Sequence, residues 1–524
     1  MTIPAIRGYT GTSLMGRISA HRESSDRLLA LARQADEAGS TPSTRVTLSD
    51  GEPDEAAVYF DPRTSNGFAR LWSAPVNPDD AVSALMARNR NLSSYNLGDQ
   101  WRGLGGAALK RFGETGAAYS QALVDGDRGS DHALDGPALP DDIRAMMIDQ
   151  RLTQQAADLA NLSNPYNPTA TLKVQTHSGQ TVELAIVVGQ GGVGGLGLKV
   201  DLTTSGRLNK EERAAVAGLA EGLDRALEGL GQDQALQFDL SGLVNYDHSA
   251  LAGVDLMVDT KHKYGMLHTF SMHLDDRQQS VSVKGTDGEL NLKVDTRTPL
   301  LNTPAQQRDA ALLQALARID AAGDRSHARP ALVAQMKAAF TAFQAAATQH
   351  DTDADPNSLP APVEAAVASR LSGLADFNAD FGGHTWRSNR NGTSNEGGTL
   401  GYHLGQTTRQ EDTPDGGSSM AQTVSEELTA NLSRAPNPGD MIDTSTGNYT
   451  QTQVHDRSTV TTLIDATADG ITRALRKTDE RKQKNETEYQ GHVAVHRHAE
   501  PQQRSFVERL ASKVRPSAEA TAMA

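Results

Sequence analysis

After "SNPYNP" the apolar residues of this chain change their spacing from helical to alternate. In "ATLKVQTH", Leu172 and Val174 alternate with polar neighbours. Val182, Leu184, Ile186 and Val188 follow the turn-forming "SGQ", and Leu196, Leu198, Val200 and Leu202 follow a run of glycines. A strand points successive side chains to opposite faces, so this spacing buries one face and solvates the other. "LAGVDLMVD", "YGMLHTFSMHLD", "SVSVKG" and "ELNLKVDT" repeat the pattern, with "DDRQ" and "GTDG" as turns. Residues 163–300 are therefore expected to form an antiparallel meander of about six or seven strands. An amphipathic helix over 209–231 interrupts it. Val216, Leu219, Ala220, Leu223, Leu227 and Leu230 share one face, and Asn209 and Glu212 have the spacing of a reciprocal cap.

Within the meander, Gly189, Gly191 and Gly194 spell G-x-G-x-x-G. A dinucleotide site needs such glycines to open a helix whose N-terminus holds the pyrophosphate. Here "GLGLKVDL" continues as a strand, so the spacing predicts a hairpin connection, and no cofactor is expected.

Helical periodicity dominates on both sides. Residues 1–162 read as mainly helical with one strand pair, "TRVTLSDG" and "AAVYF". "NPDDAVSALMARN" starts with Asn77 as the expected cap and Pro78 in the first turn. Leu97, Trp101, Leu104, Ala108 and Phe112 continue the helical spacing, and a further helix is expected from Asp141 to Leu162. Over 301–381, three alanine-rich helices carry the stripes Leu312–Leu316–Ile319, Leu332–Met336–Phe340–Phe343 and Val363–Val367–Leu371–Leu374. The last of them is expected to end near Phe381, and the three to form a bundle or a layer laid on the sheet. Residues 382–459 are a polar Gly/Ser/Thr-rich region, extended in places such as "TLGYHLGQTT" and "NYTQTQV". Residues 460–524 read as a C-terminal helix, through Val460, Leu463, Ile464, Ile471 and Leu475, followed by a tail. The expected fold class is α+β: a central antiparallel meander with an inserted amphipathic helix, flanking helical segments, and a polar, partly flexible C-terminal third.

Composition narrows the functions. The formal net charge is -15, which opposes general binding to a phosphate backbone. Cysteine is absent, which excludes disulfides, thiolate zinc sites and thiol nucleophiles. No apolar run approaches the ~20 residues of a membrane-spanning helix. The N-terminus lacks a continuous apolar core for a cleaved secretory signal, and Glu23 is its first acidic residue, after Arg7, Arg17 and Arg22. The expected location is the cytoplasm, or export without a cleaved signal peptide.

Three segments, "RNRNLSSYNLGDQWRGLGGAALKRF", "LNKEERAAVAGLAEGLDRAL" and "GNYTQTQVHDRSTV", carry a resemblance. In them the chain resembles a group of long bacterial proteins with no assigned activity. The resemblance implies a bacterial source and assigns no functional residues.

Three clusters have ligand-like spacing. Asp351, Asp353, Asp355 and Asn357 alternate like the opening of a calcium loop. Pro356 stands where the sharp turn needs glycine, and Pro362 where the last carboxylate belongs; an acidic interhelical link has the same composition. Asp125, Asp127, Asp131 and Asp135 form a weaker calcium candidate. His492, His496 and His498 would share a strand face and suit a transition metal, although a solvated tail accounts for them too. In the meander, His268 falls in the apolar row of Met266, Phe270 and Met272, and His273 lies opposite it, near Asp275 and Asp276. Arg473, Arg476, Lys477, Arg481, Lys482 and Lys484 concentrate positive charge at the expected C-terminal helix. No G-x-S-x-G elbow or Walker loop is present. The residues favour a non-enzymatic interaction or structural protein with a protein partner. The alternative is an exported effector or toxin-like hydrolase.

Overall fold

The computed structural model describes residues 59–60, 70–77, 79–90, 96–125, 140–190, 196–231, 239–261, 267–297, 303–347, 359–388, 392–413 and 417–510. Alternation does build strands: β4 (Thr169–Thr176), β5 (Thr181–Gln190), β6 (Leu196–Thr204), β7 (Leu251–Asp259), β8 (Leu267–Asp275), β9 (Gln278–Gly285) and β10 (Gly288–Asp295). They are the middle of a larger sheet. On one side, β1 (Tyr59–Phe60), β2 (Arg70–Trp72) and β3 (Tyr119–Asp125) are added. On the other side come β11 (Asp376–Ser388), β12 (Ser394–Asp412), β13 (Ser418–Arg434), β14 (Tyr449–Thr467), β15 (Gly470–Gln490) and β16 (Val493–Arg509). One 16-stranded sheet results, in the order β1-β2-β3-β6-β5-β4-β7-β8-β9-β10-β11-β12-β13-β14-β15-β16. Every pairing is antiparallel, and from β7 onward each strand pairs with the next in sequence.

Helices cover one face. On the N-terminal half lie α1 (Ala81–Arg90), α2 (Leu97–Trp101) and α3 (Leu104–Thr115). The α4 helix (Asp141–Asn161) is placed differently. The expected single helix over 209–231 is two, α5 (Lys210–Gly218) and α6 (Ala220–Leu230), followed by the short α7 (Ser241–Val244). The Asn209–Glu212 cap forms as a reciprocal pair: Asn209 Oδ1 accepts from the Glu212 amide at 2.8 Å and Glu212 Oε2 from the Asn209 amide at 2.9 Å. The cap of α1 is Asp80, not Asn77: its carboxylate accepts the Ser83 amide at 2.9 Å. Past β10, α8 (Ala305–Ser326) and α9 (Pro330–Ala347) pack on β10 to β13, and α10 (Ala361–Ala368) packs on β14 and β15. The three helices are thus a layer laid on the sheet. Among the described residues only α4 packs on the opposite face, where Leu162 beside it clusters with Leu71, Ala122 and Val124. There Gly189 and Gly197 stand opposite each other, and a Cβ on either would overlap the Leu162 side chain.

Ladder hydrogen bonds join β5 and β6 as far as Gln190 and Leu196, so the glycine run connects two neighbouring antiparallel strands. Gly191 and Gly194 themselves lie outside the described residues. The C-terminal reading needs correction. The 460–477 segment is strand, within β14 and β15, and residues 493–509 are strand rather than tail. The polar 382–459 region is likewise largely strand. The third alanine-rich helix ends at Ala368, and Phe377, Ala379 and Phe381 are alternate core residues of β11.

The core is continuous from Trp72 through Phe340 to Val454, with a satellite under α10 that includes Val363, Val367, Ile464 and Ile471. Beyond it, the far part of β15 and all of β16 extend past the helical layer, and both faces of β16 are exposed.

Candidate functional site

Among the described residues, no helix covers the second face of the sheet from β4 to β16. The side chains that alternation turns away from the core form cross-strand rows there. One row runs Glu183–Lys173–Asp255–His273–Ser280–Lys293–Asn378, each residue opposite the next on the neighbouring strand. The next row runs Thr171–Met257–Ser271–Ser282–Asn291–Asp380–His403–Glu427. Between these rows, Thr171, Lys173, Asp255, Met257, His273 and Lys293 line a depression of about 470 Å³. A neighbouring depression of about 540 Å³ shares His273 and Lys293.

His273 is held through both of its ring nitrogens. Its Nδ1 lies 2.6 Å from Asp255 Oδ1 and its Nε2 3.2 Å from Asp275 Oδ2. Asp275 is itself fixed by the amides of Arg277 and Gln278, at 2.8 and 2.7 Å. Partial burial works against a charge on His273, but the hydrogen bonds and negative field of Asp255 and Asp275 outweigh it and raise its pKa above 6.5. Burial also opposes the charge on Asp275, yet the two amides and His273 hold its pKa below the usual carboxylate range. A carboxylate on each nitrogen favours the protonated imidazole, in which both N–H groups are engaged. With both nitrogens engaged by carboxylates, neither is turned toward a nucleophile. A second His–Asp pair, His403 Nδ1 and Asp380 Oδ1 at 2.8 Å, joins β12 to β11, with β9 and β10 between it and the first. At the rim, burial raises the Asp376 pKa, against hydrogen bonds from Thr408.

The linkage has a definite sign. Because the folded-state pKa of His273 is raised, its contribution to stability is complete below about 6.5 and is lost as the pH rises through the folded value. An NMR titration should place the His273 midpoint above 6.5, and Asp255→Asn should move it down. A midpoint at or below 6.5 in the unmodified chain would show that the two carboxylates do not govern this ring.

Sequence reasoning found His273 and Asp275 but not Asp255, Met257 or the Asp380–His403 pair. A bulge between Leu267 and Thr269 also corrects the placement of His268. Leu267 enters the core and His268 is half-buried. The calcium candidates Asp351, Asp353, Asp355 and Asn357 lie outside the described residues, as do Asp127, Asp131 and Asp135. His492 occupies the turn before β16 with φ 67°, and its amide donates to the Gly447 carbonyl at 3.1 Å. His496 and His498 lie on β16 opposite Glu488 and Glu486, and His498 Nε2 is 3.1 Å from Glu500 Oε1. Among the described residues, no three His, Cys, Asp or Glu side chains converge on a point that could hold a metal ion. The basic cluster lies on β15, where Arg473 bonds Asp465 at 2.6 Å, Lys482 bonds Glu480 at 2.7 Å and Lys484 bonds Glu486 at 3.0 Å. Among the described residues, no helix is long and apolar enough to cross a membrane.

Comparison of the chain with protein-family models, curated proteins and solved structures gives no match.

Proposed function

We propose that the protein is a non-enzymatic interaction scaffold that offers the bare face of its sheet, centred on Met257, to a partner protein. The observation that carries this reading is Met257 itself. It is 57% exposed at the lining of the depression, a flexible apolar side chain beside the Asp255–His273 pair. A buried apolar anchor ringed by polar contacts is the usual energetic core of a protein interface. The charged groups around it supply orientation. The mixed signs of Lys173, Asp255, His273 and Lys293 suit a polar partner surface of mixed charge.

A photo-reactive residue at position 257, introduced into the full chain in cells that produce it, should give a discrete cross-linked adduct. The same residue at Leu313, 66% exposed on the helical layer, should not. Met257→Asp should weaken capture of that adduct's partner at least ~10-fold, the scale of a lost anchor. The reading is overturned if esters, phosphates or glycosides are turned over by the chain and one substitution, His273→Ala, abolishes that turnover.

A further inference from the structure

The outer edge of β16 carries a self-complementary pattern of charge, and we infer that it pairs with β16 of a second copy of this chain. The phase of the strand is fixed. The Leu510 amide donates to the Ala474 carbonyl at 3.0 Å, one step beyond the Leu475–Arg509 pair. Even-numbered residues from 496 to 510 therefore turn their peptide groups toward β15, and odd-numbered residues from Arg497 to Arg509 turn theirs outward. Among the described residues no strand pairs with this long edge, and such an edge is the feature through which strands add to one another.

Charge already sets the inner register of this strand. Across β15 and β16, Arg476 faces Glu508, Glu480 faces Arg504, Lys484 faces Glu500, and Glu486 and Glu488 face His498 and His496. Opposite charges directly across a pair stabilise it, and like charges disfavour it. The same rule applied to the outer edge selects one antiparallel register, with Gln502 of one copy opposite Gln502 of the other. Glu500 then faces Arg504 and His496 faces Glu508, each twice by symmetry. Phe506 faces His498, and Val507, 61% exposed, faces the stem of Arg497. Sliding the second strand by two residues sets His498 opposite Arg504 in one direction and Arg497 opposite Arg509 in the other. The two-fold arrangement is isologous and closes after two copies.

Pro501 weakens the ladder equally in every register and so leaves the choice to the charges. It lacks an amide on the outward side, so each copy loses one ladder bond, where Pro501 faces Gln503. The Gln503 amide still reaches the Pro501 carbonyl.

The chain has no cysteine, so a single introduced thiol reports the register without interference. In the selected register, position 502 meets itself in a non-hydrogen-bonded pair, with Cβ atoms about 4.5–5.5 Å apart, within reach of a disulfide after a small adjustment. Positions 500 of the two copies stand four residues apart along the strands, roughly 13 Å. Under mild oxidation of the full chain, Gln502→Cys should give a covalent dimer and Glu500→Cys should not. Sedimentation of the unmodified chain should show a concentration-dependent dimer. Ala499→Pro, which removes an outward amide and no bond to β15, should weaken dimerisation at least ~10-fold while the circular dichroism and melting of the monomer stay unchanged. A chain that sediments as a monomer throughout, equal cross-linking at 500 and 502, or a dimer indifferent to Ala499→Pro would each overturn the inference.

Discussion

Phe340→Ala is expected to lower the stability of the chain by about 3–5 kcal/mol, the range for removing a buried aromatic ring. Phe340 has no exposed surface. It projects from α9, and its ring meets that of Phe377 on β11 edge-to-face, with centroids 4.7 Å apart at 82°. Such an edge contact adds stabilisation beyond the area buried. The same joint is fixed one helical turn on by Gln344. Its side-chain nitrogen donates to the Ala375 carbonyl at 3.1 Å, and its side-chain oxygen accepts the Ala375 amide at 3.1 Å. These polar bonds hold helix and strand at a set distance, so the site cannot collapse to fill the void. The cost should therefore lie at the upper end of the range. Urea denaturation measures it. Leu313→Ala, on the exposed side of α8, should stay within about 0.5 kcal/mol. Phe340→Ala and Phe377→Ala should also combine to less than their sum, because either one removes the ring contact. A loss below about 1 kcal/mol for Phe340→Ala would mean that the helical layer is not anchored to the sheet at this point.

Where one face of a strand is buried and the other solvated, the chain states its own fold. Leu172, Val174, Val182, Leu184 and Ile186 alternate because their faces do, and the strands appear where alternation places them. The Asn209–Glu212 cap was equally legible, because capping needs only neighbours in sequence. The same local rule misplaced the start of α1. Asn77 and Asp80 can both cap, and the choice depends on Tyr119 and Arg111, more than thirty residues away, which also bind Asp80.

The C-terminal third is opaque for a physical reason. Phe377 and Phe381 stand four apart, a spacing that suits one face of a helix and equally one face of a strand. Beyond Ala474 on β15, and along all of β16, neither face enters the core, so no hydrophobic period exists to be read there. Lys, Glu, Arg and Gln, the residues that fill "ERKQKNE", favour helix by a few tenths of a kcal/mol each. A ladder with β14 on one side and β16 on the other overrides that preference. The bare face is harder still to foresee. Asp255 and His273 are eighteen positions apart, and Asp380 and His403 twenty-three. Only the register of the intervening strands brings each pair together, and the Leu267–Thr269 bulge shows that one extra residue can move it.

Gly231→Ala is the second substitution expected to cost much, about 2–4 kcal/mol from overpacking and a lost hydrogen bond. Gly231 closes α6 against the start of α2, where its carbonyl accepts the Gly98 amide at 3.2 Å. Its φ of -84° suits any residue, so strain in its own backbone is not the issue. The obstacle is space: a methyl group there would overlap the backbone nitrogen and Cα of Gly98. A backbone cannot swing aside as a side-chain tip can, so α2 would have to lift. That helix carries Trp101, which is fully buried in the main core, so the displacement would reach the centre of the helical layer. Gly218 provides the opposite sign. A Cβ added at this residue of α5 has nothing within 4 Å, and Gly218→Ala should stabilise the chain by about 0.5–1 kcal/mol through helix preference alone. Thermal melts of the two variants should therefore move in opposite directions. If Gly231→Ala melts with the unmodified chain, the α2–α6 contact is not backbone on backbone, and the tight crossing of the N-terminal helices must be held elsewhere.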